Sequence, residues 1–322
     1  MSLTRFLTIT SIASICVVRL GAQAGVSAPV LGSVYDAAEK GIRPIYGIPG
    51  AAVLGQPWGG VPGLEGAVIS PGQRVALGIR RGKLQQIRLE SGGARTTPVT
   101  GAMDGITTIV FSPGGDSAAL LGNGVQILTG VGGSPELRDV AMPAGESNGA
   151  AAAISDDGRL LLWSGGDAGP VWLIDGRAMQ LALPGSIAAA AFRAGSGDAV
   201  AVTRSGDIYS IRNAGPAADI RLVYAGDDRT ANPVAVSVSA DGSRIFTASR
   251  SGMLAAISPA DASAKAISCG CAPTALARVA EEGLFRITES SPGAPVLLFE
   301  GGGATPRVWF VPSASAFERR KR

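Results

Sequence analysis

The sequence has 322 residues, 46% of them hydrophobic, and a formal net charge of +3. It contains no histidine, which excludes Ser-His-Asp and Cys-His catalysis and histidine-ligated zinc. The near balance of 28 basic and 25 acidic residues, without a basic stripe, predicts no nucleic-acid partner.

The N-terminal residues have the features of an export signal. Arg5 supplies a positive charge, residues 6–18 (FLTITSIASICVV) form an apolar run, and residues 22–24 (AQA) form a small-x-small cleavage site. An uncleaved anchor is the alternative, but the run is short for a membrane span. We therefore expect a signal peptide over residues 1–24, a secreted or periplasmic location and no stable membrane insertion.

A polar turn between two apolar segments recurs about every 40 residues, which is the spacing of propeller blades. The first positions of the turns are Ser70, Ser112, Ser155, Arg193, Ser239 and Val279. In the copy ISDDGRLLLW, Asp156 and Asp157 are expected to bond to the local backbone, and glycine supplies the positive φ. Calcium binding by these two aspartates is the competing interpretation, but each turn offers too few acidic oxygens.

A second hairpin follows each turn, most clearly in residues 169–185 (GPVWLIDGRAMQLALPG). The alanine runs at 150–153 and 188–191 fall on the first strand of their repeats, where only small side chains fit around a tapering axis. Residues 28–50 show only the second hairpin. The predicted fold is therefore all-β: a β-propeller of six four-stranded blades plus an N-terminal half blade, in a six- or seven-bladed ring.

Three turn segments carry a resemblance to a known repeat. ISDDGRLLLW, FSPGGDSAALL and VSADGSRIFTA resemble the Ser-Pro-Asp-Gly repeat of WD40-like and TolB-like bacterial propellers and of YVTN-type surface propellers. The resemblance implies the architecture and no particular activity. The chain lacks the Gly-His and Trp-Asp dipeptides of true WD40 repeats and shows no motif of the propeller lactonases.

The ends of the predicted ring must meet, because an open propeller seam exposes a strand edge. The strands of the N-terminal hairpin are apolar enough to need burial, so we expect them to pack beside the C-terminal strand at 307–312 (RVWFVP). The expected organisation is a signal peptide at 1–24, the propeller at 25–312 and a basic, solvated tail at 313–322.

Few residues suggest chemistry. Cys269 and Cys271, the only cysteines beyond the predicted signal, are a possible disulfide or redox pair. Alternatively, they are small residues in a link between blades without such a role. Two thiolates alone are an incomplete metal site, and no glycine run continues as a phosphate loop. We therefore predict no metal and no cofactor, and no catalytic residue is identified.

Two functions fit these features. The first is an exported, monomeric, non-catalytic propeller that acts as a binding scaffold, with a protein or glycan partner on one face. The second is a carboxylate- or metal-dependent hydrolase or lyase with its site at the channel mouth. It requires acids from loops to converge there, and the candidates are Asp104, Asp198, Asp227 and Asp228. The sequence favours the first function.

Overall fold

The computed structural model describes residues 29–312, apart from residue 62 and residues 91–92, 145–148, 166–168, 280–281 and 290–293. These described residues form 27 β-strands and no helix, and they therefore contain no helix that could span a membrane. The strands make seven antiparallel sheets, of which six have four strands and the first has three. Each sheet is one blade of a β-propeller.

The strands follow the chain blade by blade. Blade 1 contains β1 (Val30–Asp36), β2 (Gly41–Ile48) and β3 (Ala51–Leu54). Blade 2 contains β4 (Gly66–Ile69), β5 (Val75–Arg80), β6 (Lys83–Glu90) and β7 (Gly93–Pro98). Blade 3 contains β8 (Thr108–Phe111), β9 (Ser117–Leu121), β10 (Val125–Thr129) and β11 (Glu136–Asp139). Blade 4 contains β12 (Gly149–Ile154), β13 (Leu161–Gly165), β14 (Val171–Asp175) and β15 (Arg177–Leu181).

The last three blades have the same order. Blade 5 contains β16 (Ile187–Phe192), β17 (Ala199–Thr203), β18 (Ile208–Arg212) and β19 (Asp219–Tyr224). Blade 6 contains β20 (Pro233–Val238), β21 (Ile245–Ser249), β22 (Met253–Ser258) and β23 (Ser263–Ser268). Blade 7 contains β24 (Ala277–Arg278), β25 (Leu284–Arg286), β26 (Val296–Glu300) and β27 (Arg307–Val311).

The hydrophobic core is divided into layers between blades. Seven buried apolar clusters occupy the seven interfaces between neighbouring blades, including the interface between blade 7 and blade 1. In the layer between blades 4 and 5, for example, Leu162 and Leu173 pack with Phe192 and Ile211. The ring is therefore closed, and the prediction of an all-β propeller is confirmed in its seven-bladed form.

The alanine runs lie on innermost strands, as predicted. They belong to β12 and β16, which are the first strands of their sheets and which contact each other. Alanine favours helices in isolated peptides, but here close packing of the inner strands decides the structure.

Blade 1 differs from the prediction. Residues 28–50 were expected to form only the second, outer hairpin of a blade. Instead, β3 adds a further strand outside β2, and the turn between β1 and β2 lies at the beginning of β4, where the Leu64 N–H donates to the Lys40 carbonyl oxygen at 2.9 Å. Because the other blades have the turn between their second and third strands at this end, β1, β2 and β3 correspond to the second, third and fourth strands of a blade, and the described residues of blade 1 include no innermost strand. The prediction was wrong by one strand, because successive hairpins of a blade have the same local pattern and only the neighbouring blades distinguish them.

The expected packing against the C-terminal strand is present. Leu31, Ala52 and Leu54 of blade 1 share a cluster with Trp309 and Val311 of β27.

Candidate functional site

The strand order gives the ring two different ends. Each blade is joined from its last strand to the first strand of the next blade, so all inner strands run the same way along the axis. In the four-stranded blades, the turns between the first and second strands and between the third and fourth strands lie at one end, which we call the turn end. The turns between the second and third strands and the connections between blades lie at the other, which we call the connection end.

A central channel runs between these ends. It includes a cavity of about 460 Å³ and, at its connection end, an adjoining cavity of about 330 Å³. Their walls are inner-strand residues with small or aliphatic side chains, such as Val110, Ala152, Ala190 and Val236. Among the described residues that line either cavity, Arg278 is the only charged one.

Arg278 crosses the turn-end mouth of the channel from the end of β24. Its Nη2 donates to the carbonyl oxygen of Pro113 at 3.0 Å, and its Nε donates to that of Pro71 at 3.5 Å. These prolines follow the inner strands of blades 3 and 2, so the guanidinium links blade 7 to blades 2 and 3 at the mouth. The Arg278 carbonyl oxygen accepts a hydrogen bond from Gln73 Nε2 at 2.8 Å.

The Ser-Asp-Asp-Gly turn joins β12 to β13, as predicted, but its two aspartates act differently. Asp156 Oδ1 accepts a hydrogen bond from the Gly114 N–H at 2.6 Å, and Oδ2 accepts one from the Gly195 N–H at 2.7 Å. One carboxylate therefore connects the turns of blades 3, 4 and 5. The prediction that Asp156 bonds to its local backbone was wrong, because the acceptable donors belong to adjacent turns 42 and 39 residues away.

Asp157 makes the predicted local bonds. Its Oδ1 accepts hydrogen bonds from Ser155 Oγ at 2.6 Å and from the Arg159 N–H at 3.0 Å. Burial by itself raises the pKa of Asp157, but these hydrogen bonds and the charge of Arg159 outweigh it and lower the pKa below its usual value. The carboxylate is therefore held ionised within its own turn.

The four candidate acids do not meet at one channel mouth. Asp198 lies at the turn end, 2.8 Å from the Arg193 guanidinium. Asp104 lies at the connection end beside Lys83, between blades 2 and 3. Asp227 and Asp228 lie at that end between blades 5 and 6. Within the part of the chain that the structure describes, no three metal-ligating acids, cysteines or histidines form a group.

Asp227 belongs to a small polar network. It accepts hydrogen bonds from Tyr224 Oη at 2.7 Å and from Arg229 Nε at 2.8 Å. The pKa of Asp227 is lowered to about 2, chiefly by the hydrogen bond from Arg229. Burial and the bond to Asp227 raise the pKa of Tyr224 to about 12. Near neutral pH neither group exchanges a proton readily, so neither is poised for acid–base catalysis.

Cys269 and Cys271 form a disulfide in the connection between blades 6 and 7. Both residues are half-buried, and the Cys269 N–H donates to the Gly252 carbonyl oxygen at 2.9 Å. Gly252 has a φ of +91°, and a Cβ at this position would lie 2.6 Å from the Cys271 carbonyl oxygen. Glycine is therefore required where the disulfide loop approaches blade 6.

Blade 1 presents an apolar surface that sequence reasoning missed. Strand register places Val30 opposite Tyr46 and Tyr46 opposite Val53, so these side chains share one face of the sheet. Ile48 shares this face because its partner is Ala51, two residues before Val53. Val30, Ile48 and Val53 are 49%, 61% and 41% exposed. We call Val30, Tyr46, Ile48 and Val53 the apolar row; it lies at the turn end, where Ser33 near the start of β1 bonds to Gln73 in the turn between β4 and β5.

The outer edge of blade 1 is formed by β3. This strand pairs only with β2 among the described strands, so its other edge is open, as is that of the fourth strand in the other blades. The short alternating sequence AAVL of β3, followed by a Gly- and Pro-rich segment instead of another strand pattern, is the signal that could have revealed this edge.

The fold and the central channel define a β-propeller. No family model matches the chain, and no curated protein sequence matches it. Among solved structures, it is similar to a functionally unknown protein from Desulfotomaculum acetoxidans DSM 771. That similarity has a TM-score of 0.56 and 13% identity and covers 88% of this chain and 100% of the other.

A second similar structure is the β-propeller domain of Cps50 (Swd1) from Myceliophteria thermophila. It has a TM-score of 0.52 and 11% identity, and the match covers 82% of this chain and 94% of that domain. At these identities, both likenesses show the fold alone.

Proposed function

We propose that this protein is an exported, monomeric, non-catalytic β-propeller that acts as a binding scaffold for a protein partner at blade 1. The observation that carries the proposal is the apolar row beside the open edge of β3. Contiguous exposed apolar side chains commonly mark interaction surfaces, and three of the five large exposed hydrophobic residues among those described belong to this row.

The open edge favours an extended polypeptide segment as the part of the partner that binds. A strand added to β3 would pair with its backbone groups and extend the sheet of blade 1 outward. Val53 points to the exposed face, whereas Ala52 and Leu54 are buried against blade 7. Val53 can therefore contact the partner without disturbing the seam between blades 7 and 1.

Export is supported by the sequence of residues 1–24, which lie outside the described residues, and by the Cys269–Cys271 disulfide. Disulfides persist in oxidising compartments and are rare in the cytosol of most organisms. The intact mass of the protein recovered outside the cytoplasm should correspond to a chain that starts at Gly25. A chain that retains Met1 would instead indicate an uncleaved anchor.

Kinship with the WD40-like, TolB-like and YVTN-type repeats is part of the same proposal. Its support is the Ser-Asp-Asp-Gly turn, which joins the first two strands of a blade with Gly158 at a φ of +70°.

A photo-crosslinking amino acid at Val53 tests the binding surface in living cells. Leu222, an aliphatic residue that is 51% exposed on the outer strand of blade 5, is the matched control position. We expect a discrete protein adduct from position 53 and none from position 222. Val53→Asp should abolish binding of the protein identified in this adduct, whereas Leu222→Asp should not.

Three results would contradict the proposal. Equal adducts from both positions would show non-specific contact. An adduct of saccharide mass would show a glycan partner. A crosslink to residues 313–322 of the same chain would show that its own tail covers the edge.

A further inference from the structure

We propose that the central channel is a second binding site, which takes a small carboxylate with an unbranched apolar chain, the carboxylate at Arg278 and the chain along the inner strands. This inference is independent of the partner proposed for blade 1, because it rests on different residues.

The size of the channel suits such a ligand. The main cavity of about 460 Å³ lies within the range of roughly 300–1,000 Å³ that is typical of small-molecule sites. The inner strands β8, β12, β16 and β20 have four to six residues, which gives a wall about 13–20 Å long. The cavity is therefore long enough for an extended chain.

The side chains of the wall favour an apolar chain. Val110, Ala152, Ala190 and Ala191 line the channel and remain only half-buried. They expose apolar surface to whatever fills the cavity, and a hydrocarbon chain would remove that surface from water. No carboxylate among the described lining residues would repel an anion.

Arg278 supplies the specific contact for the carboxylate. A guanidinium has five N–H groups, and two of those of Arg278 donate to Pro71 and Pro113. The remaining three have no acceptor among the described residues. The two carbonyl contacts hold the guanidinium plane across the mouth. A planar donor fixed in this way matches the two oxygens of a carboxylate.

The same arrangement fixes the direction of binding. Arg278 lies at the turn-end mouth, and Thr108 and Gly149, at the beginnings of β8 and β12, line the opposite end. With the carboxylate at Arg278, the chain therefore extends toward the connection end between blades 3, 4, 5 and 6.

Isothermal titration calorimetry of the full mature protein with decanoate, below its micelle concentration, tests the site. Nonyltrimethylammonium is the matched probe, because it has the same nine-carbon alkyl chain and a cationic head. We expect one decanoate per chain and at least tenfold weaker binding of the cation. Equal affinity for the two probes would contradict a role for Arg278.

Two variants locate the ligand. Arg278→Gln should weaken decanoate binding at least tenfold, with partial recovery in Arg278→Lys, which retains the charge but not the planar fork. Ala190→Leu should block the channel and abolish decanoate binding, whereas Ala178→Leu, at an exposed position of β15, should not.

Thermal melting of each variant separates lost binding from lost folding, and Ala190→Leu tests the site even if Arg278→Gln is unstable. Unchanged binding in Ala190→Leu, or no decanoate binding by the folded wild-type protein, would overturn the proposal.

Discussion

The turn end and the connection end of the ring are held together by different means. At the turn end, side chains link turns that the chain does not join directly: Asp156 reaches blades 3 and 5, and Arg278 reaches blades 2 and 3. At the connection end, many polar contacts secure a connection to the blade it leaves or enters, as when Asp207 accepts a hydrogen bond from the Gly226 N–H at 2.8 Å.

The reason for this difference is covalent continuity. At the connection end the chain itself joins successive blades, so side chains need only order the connection. At the turn end no such link exists, and the turns must be held by hydrogen bonds between blades.

The seam between blades 7 and 1 combines both problems, because the chain joins these blades at neither end. It is closed by the buried cluster between Leu31, Leu54 and Val311 and by Gln73 of blade 2. Gln73 Oε1 accepts a hydrogen bond from the Ser33 N–H at 2.7 Å, while its Nε2 donates to Arg278. Non-covalent packing therefore has its largest role at this seam.

Removing the seam should have the largest effect. Deletion of residues 25–50 removes β1 and β2, which exposes the apolar faces of blades 2 and 7. We expect aggregation and loss of a cooperative melting transition, measured by size-exclusion chromatography with light scattering and by calorimetry. Deletion of residues 313–322 is the control and should leave the oligomeric state and the melting transition unchanged. A monomeric 25–50 deletion variant with an unchanged Tm would contradict this role for blade 1.

The second-largest loss of stability should come from breaking the buried ion pair of blade 1. Arg43 Nη1 lies 2.9 Å from Asp36 Oδ2, and the two side chains are only 8% and 7% exposed. Arg43→Met leaves the Asp36 carboxylate buried without its cation, which typically costs about 3–5 kcal/mol in the free energy of unfolding.

Urea denaturation measures this loss against Lys83→Met, which breaks an ion pair of 66% and 68% exposed side chains and should cost less than about 1 kcal/mol. Similar losses in the two variants would show that burial does not matter here.

The two aspartates of the blade 4 turn should differ from each other. Asp156→Ala removes two charge-assisted bonds between blades and should cost about 1–3 kcal/mol, whereas Asp157→Ala removes local bonds and should cost about 1 kcal/mol. Chemical denaturation of both variants gives the difference. If Asp157→Ala cost as much as Asp156→Ala, bonding between turns would not be what stabilises the turn end.

The smallest effect should come from Asp227 at the connection end, and it should depend on pH. Its pKa is lowered to about 2 in the folded protein, from about 4 in an unfolded chain. The stabilisation is therefore complete above about pH 4 and is lost as the pH falls through about 2.

Because the pair with Arg229 is partly exposed, we expect less than about 1 kcal/mol. The difference in free energy of unfolding between wild type and Asp227→Asn should shrink as the pH falls from about 4 to about 2. A difference that stays constant from pH 6 to pH 2 would exclude this titration as its source.

The repeat was readable from the sequence because its signals are local. A turn such as Ser155–Gly158 depends on a glycine with positive φ and on side chains that bond within a few residues, so it can be recognised in any copy. Alternating apolar runs on both sides of each turn predict strands for the same reason. The all-β propeller and the small residues of the inner strands followed from these signals.

Only the tertiary structure decided the features on which the proposed sites depend. Asp156 finds its partners on two other blades, and Arg278 crosses the channel to carbonyl oxygens more than 160 residues away. The apolar row joins residues from three strands, and which strand position β1 takes in its blade is decided by contacts with blade 2. These are contacts between distant segments. The sequence determined which strands and turns form, because they depend on near neighbours, whereas closure of the ring determined which side chains meet.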